Sequence, residues 1–167
     1  MFFEAHLQPA GLRFVNADEL ANELNIDAYE AAELANQLRR TLVEQRESFV
    51  FETVLSDPVG DKVNFLRDAA RSGYTVVMCF IGLGNAETSE QRVAMRVLQG
   101  GHDVPNEKLA ARFIRTLENL HLAIRKLPCV YIFDNSDLRQ PFREVAKFES
   151  GKAVYVYEPV PAWLKLR

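Results

Sequence analysis

The sequence predicts an α/β domain with a mostly parallel β-sheet, and three features of the chain support this prediction. Short apolar segments alternate with segments whose apolar residues recur at helical spacing, which is typical of βαβ units. The chain has 167 residues, 48% of them hydrophobic and 26% charged, the size and balance of a globular domain with a substantial core. No internal repeat, low-complexity tract or linker interrupts the pattern, so we expect a single domain over residues 1–167.

The order of the elements follows from the apolar runs and from the helix-capping residues between them. Asn16 followed by Glu19, and Asp27 followed by Glu30, have the capping-box spacing that begins a helix. Pro58 suits the first position of a further helix. The predicted strands are 12–16, 48–55, 74–83 and 129–133, followed by a C-terminal β-hairpin of 142–148 and 153–157. The predicted helices are 17–24, 27–46, 57–73, 89–99 and a long helix after 105.

Composition excludes several classes of protein. The run 74–83 is almost continuously apolar, as expected of a strand covered on both faces, and it is too short to span a bilayer. With no signal-peptide pattern at the start, we expect a cytoplasmic protein with no membrane partner. A net charge of −3 and a pI near 5.7 argue against a nucleic-acid partner. Cys79 and Cys129 lie in apolar runs and, with three scattered histidines, predict buried thiols and no metal site.

Polar residues follow the predicted strands at the edge where a parallel sheet binds its ligands. Asp18 and Glu52 supply carboxylates, which can orient or deprotonate an acceptor hydroxyl. Guanidinium groups can neutralise charge on a transferring phosphoryl group, so the pattern is suited to phosphoryl transfer. The candidate residues on this edge are Asn16, Asp18, Glu52, Thr53, Asn135 and Ser136, and those on the helices are Arg92, Arg96, Arg112 and Arg115.

Each candidate also has a purely structural interpretation. Asp18 can be a first-turn acid favoured by the helix dipole. Glu52 lies in an apolar strand, where an unpaired buried carboxylate is costly, so a structural ion pair would explain it too. Both pairs of arginines are compatible with solvated helix faces. The residues by themselves predict an α/β domain with a polar edge and leave the reaction open.

Six motifs cover essentially the whole chain in a fixed order, and together they resemble the zeta toxin family of P-loop kinases, in particular a small bacterial branch of putative ATPases. The combination is more specific than any single motif. The motifs are FVNADEL (14–20), ESFVFETVLS (47–56), SGYTVVMCFIGL (72–83), QRVAMRVLQGGHDVPNEKLAARFIRTLENL (91–120), YIFDNS (131–136) and a terminal hairpin ending near Pro161 and Trp163.

The resemblance implies a three-layer P-loop NTPase-like domain that uses ATP and Mg²⁺. Its implied activity is transfer of the ATP γ-phosphate to a hydroxyl of a small acceptor, which in the best-known toxins is UDP-N-acetylglucosamine. By position, Asp18 matches the base for the acceptor hydroxyl and Glu52 the acid that contacts substrate. The other assignments are catalytic lid arginines at Arg92 and Arg96, substrate binding by Asn16, Thr53, Arg112 and Arg115, and nucleotide binding by Asn135 and Ser136.

The sequence departs from the family pattern at its amino-terminal end. The family begins with a strand running into G-x-x-x-x-G-K-[ST], whose amides cradle the phosphates and whose lysine reaches them. This motif is absent from the 167 residues. Gly60-Asp61-Lys62 lacks the upstream glycine, and Gly82 with Gly84 forms only a weak glycine pair. We therefore expect that the first, central strand and the P-loop are missing and that this chain alone is an inactive kinase.

A missing central strand would leave the strands 48–55 and 74–83 with an unfilled position between them, and unpaired strand edges in a core are costly. The two strands could pair directly, accept a strand from a second copy in a strand-exchanged homodimer, or accept a separate peptide. The leading hypothesis is an ATP-dependent kinase of a small nucleotide-sugar-like acceptor. The alternative is a non-catalytic remnant or binding module that keeps the acceptor side. An antitoxin protein is a further partner implied by the family.

Overall fold

The computed structural model describes residues 2–84, 106–137 and 139–165. The chain forms two compact units, Met1–Val54 and Leu55–Arg167, which are taken in turn below. The predicted helix 89–99, with Arg92 and Arg96, lies outside the described residues. Among the residues described, no helix combines the length and the apolar character needed to cross a bilayer.

The amino-terminal unit is a two-stranded parallel sheet with helices packed on it. The predicted capping residues begin its two longer helices: the Asn16 side chain accepts the Asp18 N–H at 2.8 Å, and Asp27 accepts the N–H groups of Tyr29 and Glu30. The core of the unit is built around Val15, Ala35 and Leu42. Its elements are α1 (Phe2–His6), a 3₁₀ turn (Gln8–Ala10), β1 (Arg13–Val15), α2 (Ala17–Leu24), α3 (Ala28–Glu44) and β2 (Phe49–Phe51).

The second strand is shorter than the sequence predicts. The apolar run predicts a strand over 48–55, whereas β2 ends at Phe51, and the last ladder bond is donated by the Glu52 N–H to the Val15 oxygen at 3.4 Å. In the described part of the chain β2 pairs with β1, and it ends there because β1 ends at the same level. Glu52 is exposed, so the expectation of a carboxylate buried in an apolar strand is wrong.

The carboxyl-terminal unit contains a four-stranded sheet in the order β3-β4-β5-β6. β3 and β4 are parallel, whereas β5 and β6 form the predicted C-terminal hairpin, so the α/β class is confirmed. Helices and strands share one core cluster, which includes Val63, Leu120, Leu127 and Val130. The elements are α4 (Asp61–Arg71), β3 (Val77–Gly82), α5 (Asn106–Lys126), β4 (Cys129–Asp134), β5 (Arg143–Glu149) and β6 (Lys152–Val156).

Helix α4 begins at Asp61, not at Pro58 as the sequence predicts. Gly60 has a φ of 72°, a left-handed conformation that a helix interior does not allow, so the chain turns once before the helix begins. The carboxylate of Asp57 reaches across this turn and accepts the N–H of Asp61 at 2.5 Å. Val59, within the predicted helix, is 69% exposed on the turn.

Among the described residues, strand β3 lies at an edge of its sheet, and at its first residue the expectation of a strand covered on both faces is wrong. Val77 is 53% exposed. In the described part of the chain β3 pairs with β4, and β2 with β1. Cys79 and Cys129 are free thiols and only half-buried. Burial first, and then the charges of Cys129 and Glu144, raises the pKa of Cys79 to about 11.

Candidate functional site

Four predicted residues, Asn16, Asp18, Glu52 and Thr53, lie where β1 and β2 end, and we call them the amino-terminal rim. The parallel register places Val15 opposite Phe51, so the residues that follow the two strands leave the sheet at the same edge. Asn16 is 9% exposed and is used as the cap of α2, whereas Asp18, Glu52 and Thr53 are exposed. The predicted strand-end grouping therefore holds within this unit.

Asp18 occupies the first turn of α2, one residue inside the helix. Its main-chain N–H is held by Asn16 at 2.8 Å, which fixes the direction in which the side chain leaves the helix. Within the described ranges no side chain forms an ion pair with its carboxylate. The carboxylate is thus exposed to a ligand at the rim, in a position that also suits the helix dipole.

A buried arginine, which the sequence reasoning missed, lies beside this rim. Arg39 of α3 is 7% exposed, and its guanidinium carbon lies 4.8 Å from the centre of the Phe51 ring. The guanidinium also donates a hydrogen bond to Asn36 Oδ1. Burial first, and then the charge of Arg40, lowers the pKa of Arg39. The sequence does indicate its burial, because Arg39 lies at helical spacing from Ala35 and Leu42 on the buried side of α3.

A second polar edge lies in the carboxyl-terminal unit, where Gly82 at the end of β3 pairs with Asp134 at the end of β4. Asp134 Oδ1 accepts from the Ser136 hydroxyl at 2.5 Å, from the Ser136 N–H at 3.2 Å and from Trp163 Nε1 at 3.2 Å. Its Oδ2 accepts from Arg143 at 3.3 Å. With four donors on a side chain that is 13% exposed, Asp134 holds the strand end and the carboxyl-terminal segment together.

These bonds make stability depend on the ionisation of Asp134. Burial acts to raise its pKa, but the hydrogen bonds from Ser136, Trp163 and Arg143 outweigh burial and hold the pKa below its ordinary value. Because the folded pKa is lower than the unfolded one of about 3.9, the stabilisation is complete above that pH and is lost as pH falls through the folded pKa. We expect Asp134→Asn to lower the free energy of unfolding at neutral pH, by an amount that shrinks below about pH 4.

Urea denaturation at a series of pH values measures this difference. Glu33→Gln, on the exposed side of α3, is the control for removing one carboxylate. A difference between Asp134→Asn and the wild type that stays constant from neutral to acid pH would contradict the role assigned to the ionised form.

The predicted nucleotide-binding pair lies in the turn after β4. The Ser136 hydroxyl donates to Asp134, and Asn135 Oδ1 accepts the N–H of Phe142 at 3.4 Å. Both side chains are half-buried and take part in the local turn, so nucleotide binding by them stays a prediction.

The two predicted arginines of α5 differ in their surroundings. Arg115 Nε donates to the main-chain oxygen of Ser56 at 3.1 Å, and the buried Asn119 donates to the main-chain oxygens on either side of Ser56 at 2.9 and 2.8 Å. Together they tie the segment before α4 to α5. Arg112, on the same helix, is exposed to solvent.

Trp163 closes the end of β3. It is 6% exposed and its ring centre lies 5.9 Å from that of Phe80. A Cβ atom on Gly82 would lie 2.2 Å from the indole ring, so only glycine permits this approach. Beyond the indole lies a cavity of about 590 Å³, with Phe113 and Leu117 of α5 among its walls.

Comparison with family models matches residues 17–144 to the family described as Zeta toxin. This match covers well over half of the 167 residues. The chain belongs to the zeta toxin family. Membership places it among kinase-like, nucleotide-binding proteins and makes ATP and Mg²⁺ the cofactors at the level of the family. Searches of curated proteins and of solved structures give no significant match.

The described residues of this zeta toxin family member do not fit the phosphates of ATP. A helix N-terminus binds an anion through its unbonded N–H groups, but Asn16 and Asp57 each already accept one of these groups, at α2 and α4, and Asp27 accepts two at α3. Near Gly82 the indole of Trp163 fills the approach. In the same described ranges, no three acidic, imidazole or thiol groups are grouped as a metal site.

Proposed function

We propose that this chain carries the acceptor side of a zeta-toxin-like phosphotransferase, and that its ligand is a nucleotide-sugar-like acceptor such as UDP-N-acetylglucosamine. The observation that supports this best is the amino-terminal rim. Asp18 lies exposed, with no ion-pair partner in the described part of the chain, at the edge where Glu52 also emerges. A carboxylate in such a position can accept a hydrogen bond from an acceptor hydroxyl and take its proton.

The rim residues take distinct roles in this proposal. Asp18 orients the acceptor hydroxyl and acts as its base, and Glu52 contacts the acceptor from the neighbouring strand end. Asn16 positions Asp18 by beginning α2 at a fixed residue. The remaining assignments are acceptor binding by Thr53, Arg112 and Arg115. Charge neutralisation by Arg92 and Arg96 and nucleotide contact by Asn135 and Ser136 would operate only together with the P-loop motif that the 167 residues lack.

We also propose that the 167 residues bind the acceptor without turning over ATP. Two features support this: the sequence contains no G-x-x-x-x-G-K-[ST], and the first turns of α2, α3 and α4 are capped by the chain's own side chains. The same features favour the second candidate function, a non-catalytic binding module. The DNA immediately upstream of the Met1 codon separates the two, because an in-frame P-loop motif there would favour the kinase and a stop codon the module.

The partners follow from the same proposal. The small-molecule partner is the nucleotide-sugar-like acceptor. For protein partners we propose an antitoxin, or a second copy that exchanges a strand at the edge of β3, where Val77 is 53% exposed. Sedimentation velocity on the purified chain tests the strand-exchanged dimer. We expect the mass of a dimer at micromolar concentration, and a monomer at every concentration would rule this partner out.

Asp18→Asn is expected to weaken binding of UDP-N-acetylglucosamine by about tenfold or more, since a hydrogen bond to a charged group contributes about 1.5–3 kcal/mol. Isothermal titration calorimetry on the 167-residue chain measures the change. Glu19→Gln is a matched control, because Glu19 is exposed in the same first turn of α2.

Comparison of Asp18→Asn with Glu19→Gln also separates a role of Asp18 in acceptor binding from a role in helix stability. If both acids only interact with the helix dipole, the two variants lose similar stability, about 0.3–1 kcal/mol each, and bind the acceptor equally well. Loss of affinity in Asp18→Asn alone supports the proposal. Equal affinities in both variants would remove Asp18 from the acceptor site.

A further inference from the structure

The charge of Arg39 has no counter-ion in the described part of the chain. Arg39 is 7% exposed, and its contacts are the amide oxygen of Asn36 and the ring of Phe51, both of which are neutral. Buried charges in proteins are ordinarily paired or bound to an ion. A hydrogen bond and a ring face offset only part of the loss of hydration of a guanidinium group.

The next residue in the sequence is a second cation, which does not compensate the charge of Arg39. The adjacent Arg40 is exposed, and its charge acts with burial to lower the pKa of Arg39. Within the described residues, no carboxylate is among the groups that act on this pKa. The site therefore has a positive charge that is partly desolvated, where an anion gains more from pairing than it would in water.

The position of Arg39 places this charge at the amino-terminal rim. Its guanidinium lies against Phe51, the last residue of β2, and Glu52 of the rim follows directly. Phe51 pairs with Val15, so the end of β1 lies at the same level. An anion bound by Arg39 would thus lie beside the strand ends from which Asn16 and Asp18 continue.

We propose that Arg39 is the anion-binding residue of this rim and pairs with the phosphate or diphosphate of the acceptor. The planar guanidinium suits a phosphate because two N–H groups can donate to two of its oxygens at once. Asn36 and Phe51 hold the group in one orientation before the ligand arrives. This inference rests on the acceptor side proposed above and adds the chemical feature by which it recognises a nucleotide-sugar, its diphosphate.

Arg39→Met tests the proposal, since methionine keeps the apolar contact with Phe51 and removes the charge. Arg40→Met is the matched control, because it removes a charge from the next residue of the same helix, where the side chain is exposed. Three probes separate the sources of binding: inorganic pyrophosphate carries the anion alone, uridine the nucleoside alone, and UDP both. Thermal unfolding and calorimetry are recorded for each protein with each probe.

We expect pyrophosphate and UDP to raise the unfolding temperature of the wild type and of Arg40→Met, and uridine to have little effect on either. In Arg39→Met the affinity for pyrophosphate and UDP should fall by about tenfold or more. Without ligand, Arg39→Met should unfold at the same temperature as the wild type or higher, because an unpaired buried charge is then replaced by an apolar group.

A structural role gives the opposite pattern. If Arg39 only supports packing, Arg39→Met unfolds at a lower temperature while the ligand-induced rise stays as large as in the wild type, and this result would overturn the proposal. Equal losses in Arg39→Met and Arg40→Met would also overturn it, since they would indicate general electrostatic attraction. The anion site and the acceptor assignment can fail separately, because pyrophosphate binding through Arg39 does not require that UDP-N-acetylglucosamine be the acceptor.

Discussion

Replacing Trp163 by alanine is expected to lower the free energy of unfolding by about 3–5 kcal/mol, the range for deleting a large buried aromatic side chain. The indole is 6% exposed, packs on Phe80 and belongs to the core of the carboxyl-terminal unit. Its removal leaves an empty space over Gly82. It also removes one of the donors that stabilise the ionised Asp134.

Urea denaturation followed by circular dichroism measures this change without relying on the fluorescence of the chain's single tryptophan. Trp163→Phe, which keeps a ring and loses the N–H, should fall between wild type and Trp163→Ala. Tyr29→Ala is the control, since Tyr29 is 90% exposed and its loss should change stability by less than about 0.5 kcal/mol. A loss below about 1 kcal/mol in Trp163→Ala would mean that the indole does not close the end of β3.

Gly82→Val is expected to destabilise the fold by about 3 kcal/mol, the upper end of the usual cost of overpacking a core. The added Cβ atom would meet the indole ring at 2.2 Å, and two further methyl groups would increase the overlap. Valine otherwise favours a β-strand, so a loss of stability at this strand position reports the contact with Trp163 and not strand propensity. Thermal and urea unfolding both measure it.

A double-mutant cycle makes the cause of this effect specific. Once Trp163→Ala has removed the ring, Gly82→Val should cost little or nothing, so that the two changes are strongly non-additive. Ala153→Val is the control, because it introduces a valine at an exposed position of β6. A cost of Gly82→Val that persists in the Trp163→Ala background would contradict the steric explanation.

The parts of the fold that the sequence predicted well are those set by neighbouring residues. Asn16 and Asp27 cap helices within three positions of themselves, and the turn of the terminal hairpin lies where polar residues interrupt two alternating strands. Because the cause is local, the pattern is visible in the sequence. The grouping of Asp18 with Glu52 was also predictable, since parallel strands place their carboxyl ends at one edge.

The parts that were missed depend on distant residues. Strand β2 ends where the short β1 ends, a limit that the apolar run 48–55 does not contain. Asp134 and Trp163 are 29 positions apart in sequence and meet only in the fold. Arg39 lies on the buried stripe of α3, but a cation at such a position is ordinarily assigned to the solvent side. Its aromatic neighbour comes from another element.

In our proposal the 167 residues bind the acceptor but not the phosphates of ATP. One titration series on the 167-residue protein tests this most directly. Calorimetry with UDP-N-acetylglucosamine and, separately, with ATP and Mg²⁺ is combined with an assay for ADP release in the presence of both. We predict binding of UDP-N-acetylglucosamine that Asp18→Asn weakens, no specific binding of ATP, and no release of ADP. Release of ADP that requires UDP-N-acetylglucosamine and is lost in Asp18→Asn would contradict the absence of a phosphate cradle.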